Sequence, residues 1–351
     1  MNHSLVSLKI GRLARSPFTP VTVLIALLLT PTLAGSTLRV LQPDIVWIQV
    51  GQHDRVNAVP FSPDGQLLAV GSRDQTIQLR QSSNGNLIKA FKVRFGGVNS
   101  LAFSPDGQLL AAGTAASQQN LYLWRIADGT LLSLTAAHFN GTNSIAFSPD
   151  GQFLFSAGRD RNVKVWRVSD SSLIRTLNHG SRLLALALSP DGQVVAASGD
   201  TGVIKLWRVS DGALLNTFTG HTDLVFSLAF SPNGQLLASG SADQTVKLWQ
   251  VSNGRVVQSL AVPNQGSADA VAFSRDGQTI MSGTSELINA PDGTIQSLGT
   301  VRFWRVSDGT LLLTYDQETG ITVPSVAYSP DGTLFSYGRY DGAVAVARNP
   351  F

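Results

Sequence analysis

Cysteine is absent from the 351 residues, which excludes disulfides, thiolate catalysis, iron–sulfur clusters and cysteine-bound zinc together. That absence does not fix the compartment. Charge is scarce, at 14% of residues against 43% hydrophobic, the balance of a globular chain. Three of the 26 basic residues, Lys9, Arg12 and Arg15, lie in the first 34 positions, which hold no Asp or Glu, leaving 23 basic against 23 acidic residues beyond them. The net +3 therefore belongs to the N-terminus, and no basic excess remains to neutralise phosphates, so nucleic acid is not an expected partner. Histidine is rare too. Beyond the N-terminal segment only His53, His138, His179 and His221 remain, too widely separated to share an ion, so no metal and no cofactor is expected. The glycines fall in hairpin turns with no strand–loop–helix unit around them, which excludes a phosphate-cradling loop. Asp292-Gly293 has too few carboxylates near it for a calcium loop.

The N-terminus is a different kind of sequence. A basic stretch is followed by the apolar run "VTVLIALLL" (21–29) and then by "TPTLAG", with small side chains at Thr32 and Ala34. Basic, apolar and small-residue regions in that order predict a signal peptide over residues 1–34, cut after Ala34, and export to the periplasm or beyond. The alternative is an uncleaved membrane anchor, although the run is well short of the ~20 residues a spanning helix needs. No cysteine follows it to carry a lipid.

What the chain does have is a repeat. The phrase "FSPDGQ" (61–66) returns six more times, nearly letter for letter, with its glycine at Gly65, Gly107, Gly151, Gly192, Gly234, Gly277 and Gly332. The spacings are 42, 44, 41, 42, 43 and 55, hence seven units with one insertion. Each unit reads as four short strands separated by turns. In the fifth, "LVFSLAF", "QLLASGS", "TVKLWQV" and "RVVQSLAV" are divided by Ser231-Pro232-Asn233-Gly234, Ala242-Asp243 and Ser252-Asn253-Gly254. Such punctuation marks an all-β fold, with Pro presetting φ and Asp-Gly or Asn-Gly accepting the left-handed turn conformation. "NSLAF", "NSIAF" and "FSLAF" pair a large-residue face with an Ala/Ser face, as sheets sandwiched between neighbouring sheets require.

Unit five, "GHTDLVFSLAFSPNGQLLASGSADQTVKLWQ" (220–250), resembles the WD-repeat β-propeller family over its full length, and the resemblance covers about residues 45–349. It implies a seven-bladed β-propeller with four antiparallel strands per blade. The chain stops after the third strand of unit seven, so "IVWIQV" (45–50) is expected to complete the last blade and leave no free edge at the seam.

The resemblance also implies a network in which His, Ser or Thr, a turn Asp and the strand-ending Trp are hydrogen-bonded. The full set matches at His138, Ser156, Asp160 and Trp166, and at His221, Ser239, Asp243 and Trp249. Ser, His and Asp together look like a hydrolase triad, but the set repeats in different blades and ends on an indole N–H, a donor that needs an acceptor rather than a reaction. Elsewhere the set is broken: Ala197 and an early Asp200 in unit four, Arg80 and Ala347 at the Trp position of units one and seven, no Asp in unit two. Blades three and five are expected to be the most rigid. The Asp that gives the family half its name is replaced after the five matching Trp residues by Arg125, Arg167, Arg208, Gln250 and Arg305.

If the buried residues are structural, function falls to loops on the rigid scaffold. By resemblance, the loops leading into first strands and those joining second to third strands share one rim, the top. That rim receives Arg55, Arg73, Phe95, Phe139, Arg159, Arg182, Leu224 and Tyr340, types enriched among interface anchors apart from Leu224. The insertion, "SELINAPDGTIQSLG" (285–299), reads as a protruding hairpin turning at Pro291-Asp292-Gly293 and adding to the same rim. The expected protein is a monomeric, non-catalytic scaffold for a protein or peptide partner, with no membrane span once the leader is cut. Two alternatives stand beside it: a propeller enzyme or small-ligand binder using the central channel, and a subunit of an envelope complex.

Overall fold

The repeated turn determines where each hairpin reverses. A computed structural model describes residues 43–351, except 119, 290–292 and 320, with backbone alone at 316–319; the leader and the turn residues Pro291 and Asp292 lie outside the described residues. Ser62 Oγ donates to Asp64 Oδ1 at 2.5 Å, and the same Oγ accepts from Leu67 N at 2.9 Å. Asp64 Oδ1 also accepts from Gln66 N at 3.0 Å. Gly65, at φ +71°, completes the reversal in a conformation that costs other residues about 1–2 kcal/mol. The Ser–Asp or Ser–Asn bond recurs in every blade, at Ser104, Ser148, Ser189, Ser231, Ser274 and Ser329.

The described strands form seven four-stranded antiparallel sheets. Blades one to six occupy 56–92, 98–135, 142–178, 183–218, 225–261 and 267–319 in chain order. The seventh combines Ser325–Tyr328, Leu334–Gly338 and Val344–Arg348 with Ile45–Gln49, which pairs antiparallel with Val344–Arg348 in the register Trp47↔Val346 and Gln49↔Val344. First strands of adjacent blades touch all round, including Val56–Ala58 against Ser325–Tyr328, so the ring is closed with first strands innermost.

Cores lie between blades. Phe155, Val163 and Leu177 of blade three meet Leu183, Leu186 and Trp207 of blade four. Second strands contribute fully buried alanines, Ala111, Ala112, Ala196, Ala197 and Ala238, whose small side chains let large ones from the next sheet approach. On the bottom rim each turn proline abuts the glycine of the next turn. A Cβ at Gly107 would sit 3.8 Å from Pro63 and one at Gly192 only 2.8 Å from Pro149. The insertion lengthens two strands of blade six, Thr279–Asn289 and Ile295–Arg305, whose pairing runs without a break to Asn289↔Ile295.

Candidate functional site

The two full His–Asp sets are chains of hydrogen bonds sealed inside their blades. His138 Nδ1 lies 2.7 Å from Asp160 and its Nε2 2.7 Å from Ser156 Oγ, which also accepts from Trp166 Nε1 at 2.8 Å. In blade five the corresponding distances, from His221 to Asp243, His221 to Ser239 and Trp249 to Ser239, are 2.6, 2.6 and 2.7 Å. Ser156 and Ser239 are fully buried, so neither hydroxyl faces a substrate. Burial works to raise the pKa of Asp160, but the bond and charge of His138 and the charge of Lys164 outweigh it and hold the carboxyl at about 2.

Other blades rebuild this position with different residues. In blade one it belongs to Gln52, which accepts from Thr76 Oγ1 at 2.6 Å, while His53 is exposed and gives only its backbone N–H to Asp74. The reason is spacing: His138, His179 and His221 each stand four residues before the first residue of their inner strand, and from Val56 that count reaches Gln52. In blade four His179 meets Ser181 Oγ at 2.8 Å, because Ala197 has no hydroxyl, and Asp200 turns away to Arg182 at 2.7 Å. Burial, with the nearby charge of Lys205, pushes His179 down to about 4. In blade two Tyr122 stacks on Trp124 and its hydroxyl accepts from Arg94 and Phe95 N–H groups.

Blade six holds the variant that sequence reading missed. Trp304 Nε1 donates to Ser282 Oγ at 3.0 Å, but the acid four residues later is Glu286, and the side chain at the histidine position is Asn264, which donates to Glu286 at 3.0 Å. The buried Arg302 guanidinium pairs with Glu286, and Thr284 and Thr300 donate to the same carboxylate. The signal was present: Ser282 to Glu286 repeats the interval from Ser239 to Asp243. The arginines after Trp also have partners. Arg125, Arg167, Arg208 and Arg305 pair with Asp128, Asp170, Asp211 and Asp308, three residues on, at 2.8 to 3.3 Å.

The eight rim candidates occupy loops at one end of the ring. Arg55, Phe95, Phe139, Arg182 and Leu224 precede inner strands; Arg73, Arg159 and Tyr340 join second to third strands. The two loop types are tied within blades by backbone bonds, as from Arg73 N to Arg55 O at 2.9 Å, Arg159 N to Gly141 O at 3.3 Å and Asp200 N to Arg182 O at 3.1 Å. Phe95, Phe139 and Tyr340 are about half exposed or more, at 48, 71 and 50%. Leu224 is half-buried. Closure of the ring brings Arg55, Arg73 and Tyr340 together across the seam, the Arg55 guanidinium lying 6.0 Å from the Tyr340 ring centre. Phe139, Arg159, Arg182 and Leu224 belong to blades three to five, away from that group.

Below the rim the inner strands enclose a channel cavity of about 320 Å³. At one level its wall carries Asn57, Asn99, Asn143, Leu184, Phe226, Asp269 and Pro324, one from each blade. The asparagines form a belt between blades: Asn57 donates to Val98 O, Asn99 to Thr142 O and Asn143, and Asn143 to Leu183 O, at 2.7 to 3.1 Å. Asp269 accepts from Ser267 and Ser285, and burial raises its pKa. Among the described residues no group of His, Cys, Asp or Glu is arranged to hold a metal ion.

Residues 46–80, 85–125, 129–167, 171–208 and 212–250 match the family model described as WD domain, G-beta repeat, together more than half of the chain. Each match begins in the outermost strand of one blade or in the turn just before it and ends in the third strand of the next, so the sequence repeat is offset from the blade. No curated protein matches the chain. With its seven blades, its buried His–Ser–Trp chains and these five matched repeats, the chain belongs to the WD-repeat family.

Proposed function

We propose that this protein is a non-catalytic scaffold that offers the top rim of its propeller to a protein or peptide partner outside the cytoplasm. The observation that carries the reading is the gathering of Arg55, Arg73 and Tyr340 at the channel mouth, with Phe95 exposed on the neighbouring loop. Arginine and aromatic side chains are the usual anchors of protein interfaces. The loops are tied to one another by backbone hydrogen bonds, and a surface ordered before binding loses less entropy on binding. Action outside the cytoplasm rests on the basic, apolar and small-residue order of residues 1–34.

Affinity capture with the full chain as bait tests the rim. The triple variant Arg55→Glu, Arg159→Glu, Arg182→Glu is expected to lower partner recovery at least tenfold, about 1.4 kcal/mol. Undiminished recovery removes the rim from the function. Export is tested separately by fractionating expressing cells and sequencing the mature N-terminus, which is expected to begin at Gly35. An intact Met1 on a cytoplasmic protein would overturn it.

A further inference from the structure

A cation without an anion sits at the channel mouth. The rim arginines Arg182 and Arg339 each have an aspartate, Asp200 at 2.7 Å and Asp341 at 2.6 Å. Arg55 has none among the described residues, and its Nε is buried with no hydrogen-bond acceptor. The carboxylates around it are engaged elsewhere. Asp54 Oδ1 accepts from the backbone N–H of Arg55 at 2.7 Å, and Asp269 in the channel wall is held by Ser267 and Ser285. The neighbouring Arg73 adds a like charge, while Tyr340 covers one side of the guanidinium.

The Arg55 side chain is half-buried, and its Nε–H is a buried donor without an acceptor, which calls for an explanation. A planar carboxylate is the natural complement of a guanidinium, since both of its oxygens can accept from the fork of N–H groups. With Asp54 and Asp269 nearby, a single negative charge fits better than a dianion. We infer that the channel mouth is a carboxylate-recognition site in which Arg55 receives the acidic side chain of a bound peptide, flanked by Arg73 and Tyr340. The inference rests on the rim reading above and narrows the partner to one presenting Asp or Glu.

The test uses the immobilised full chain and three pools of random hexapeptides: acetylated and amidated with a central Glu; the same with a central Gln; and a pool lacking acidic side chains but ending in a free carboxylate. The Glu pool is expected to be retained at least about tenfold better than the Gln pool. Arg55→Gln abolishes the preference, and Arg255→Gln, an exposed arginine in the turn between the third and outermost strands of blade five, keeps it. Retention of the free-terminus pool in place of the Glu pool overturns the side-chain assignment. Equal retention of the Glu and Gln pools, or retention of neither, overturns the site. Without peptide, Arg55→Gln is expected to raise the thermal midpoint by about 2 °C or more, since a buried donor without an acceptor is removed; a lower midpoint counts against the site. If the triple charge reversal abolishes partner capture while the Glu and Gln pools bind alike, the rim remains the binding face and only carboxylate recognition falls.

Discussion

Ser239 Oγ joins His221 to Trp249, so Ser239→Ala leaves an imidazole nitrogen and an indole N–H buried without partners. The expected cost is about 1–3 kcal/mol for each orphaned group, read as a lower midpoint in chemical denaturation. Blade four carries that alanine naturally at Ala197, beside His179 and Trp207. Ala197→Ser is therefore expected to stabilise by about 1 kcal/mol, and a loss would show that the hydroxyl cannot reach both rings. The titration of this region has a defined sign. His179 is a base held at about 4 against an ordinary 6.5, so the unfolded chain takes up its proton first. Stability then falls as pH drops below about 6.5 and this loss is complete below about 4. Asp160 is an acid held at about 2 against 3.8, so its contribution is full above 3.8 and disappears as pH falls through about 2. Thermal midpoints between pH 7 and 2 should decline in two stages. His179→Gln, which installs the residue type blade one uses at Gln52, should remove the upper one.

Among elements, blade six departs furthest from the repeat, and its long hairpin grows out of a buried ion pair. Glu286→Gln leaves Arg302 without its anion in the interior and is expected to cost about 3–5 kcal/mol. The double change Glu286→Leu, Arg302→Met removes both charges and should recover most of that loss in urea denaturation. If single and double variants are equally unstable, the pair does not stabilise the blade through its charges. The hairpin was legible as a 55-residue spacing, since length is counted directly from the sequence. Its interior was not: Asn264, Glu286 and Arg302 share no residue type with His221, Asp243 and Lys247 at the corresponding positions, and only the interval from Ser282 to Glu286 betrayed the equivalence. His53 misled for the opposite reason, being the right residue type one position out of register with Gln52.

For the whole molecule, stability depends on the seam. Trp47, 9% exposed, donates its Nε1 proton to Ser82 O at 2.7 Å and packs with Val56, Phe61 and Leu68, so a strand from the start of the chain binds the last blade to the first. Trp47→Ala is expected to cost about 3–5 kcal/mol, and to lower the midpoint for the entire ring because blades one and seven each lose a neighbour once the seam opens and expose an unpaired face. Calorimetry showing an unchanged midpoint would mean that closure contributes little.

The sequence by itself determined the number of blades, their order and the strand that closes them. Those features are set by local chemistry: a Ser–Pro–Asp–Gly turn imposes the same reversal wherever it occurs, and the intervals between turns leave room for four strands. It also disclosed the two complete His–Asp sets, because the residue types recur at fixed intervals. Only the tertiary structure decided which charges have partners. Arg55 and Tyr340 stand near opposite ends of the chain and meet only when the ring closes, and Asp269 joins them from a third blade. Pairing between loops depends on distances across the channel, which closure of the ring imposes and no interval along the chain records.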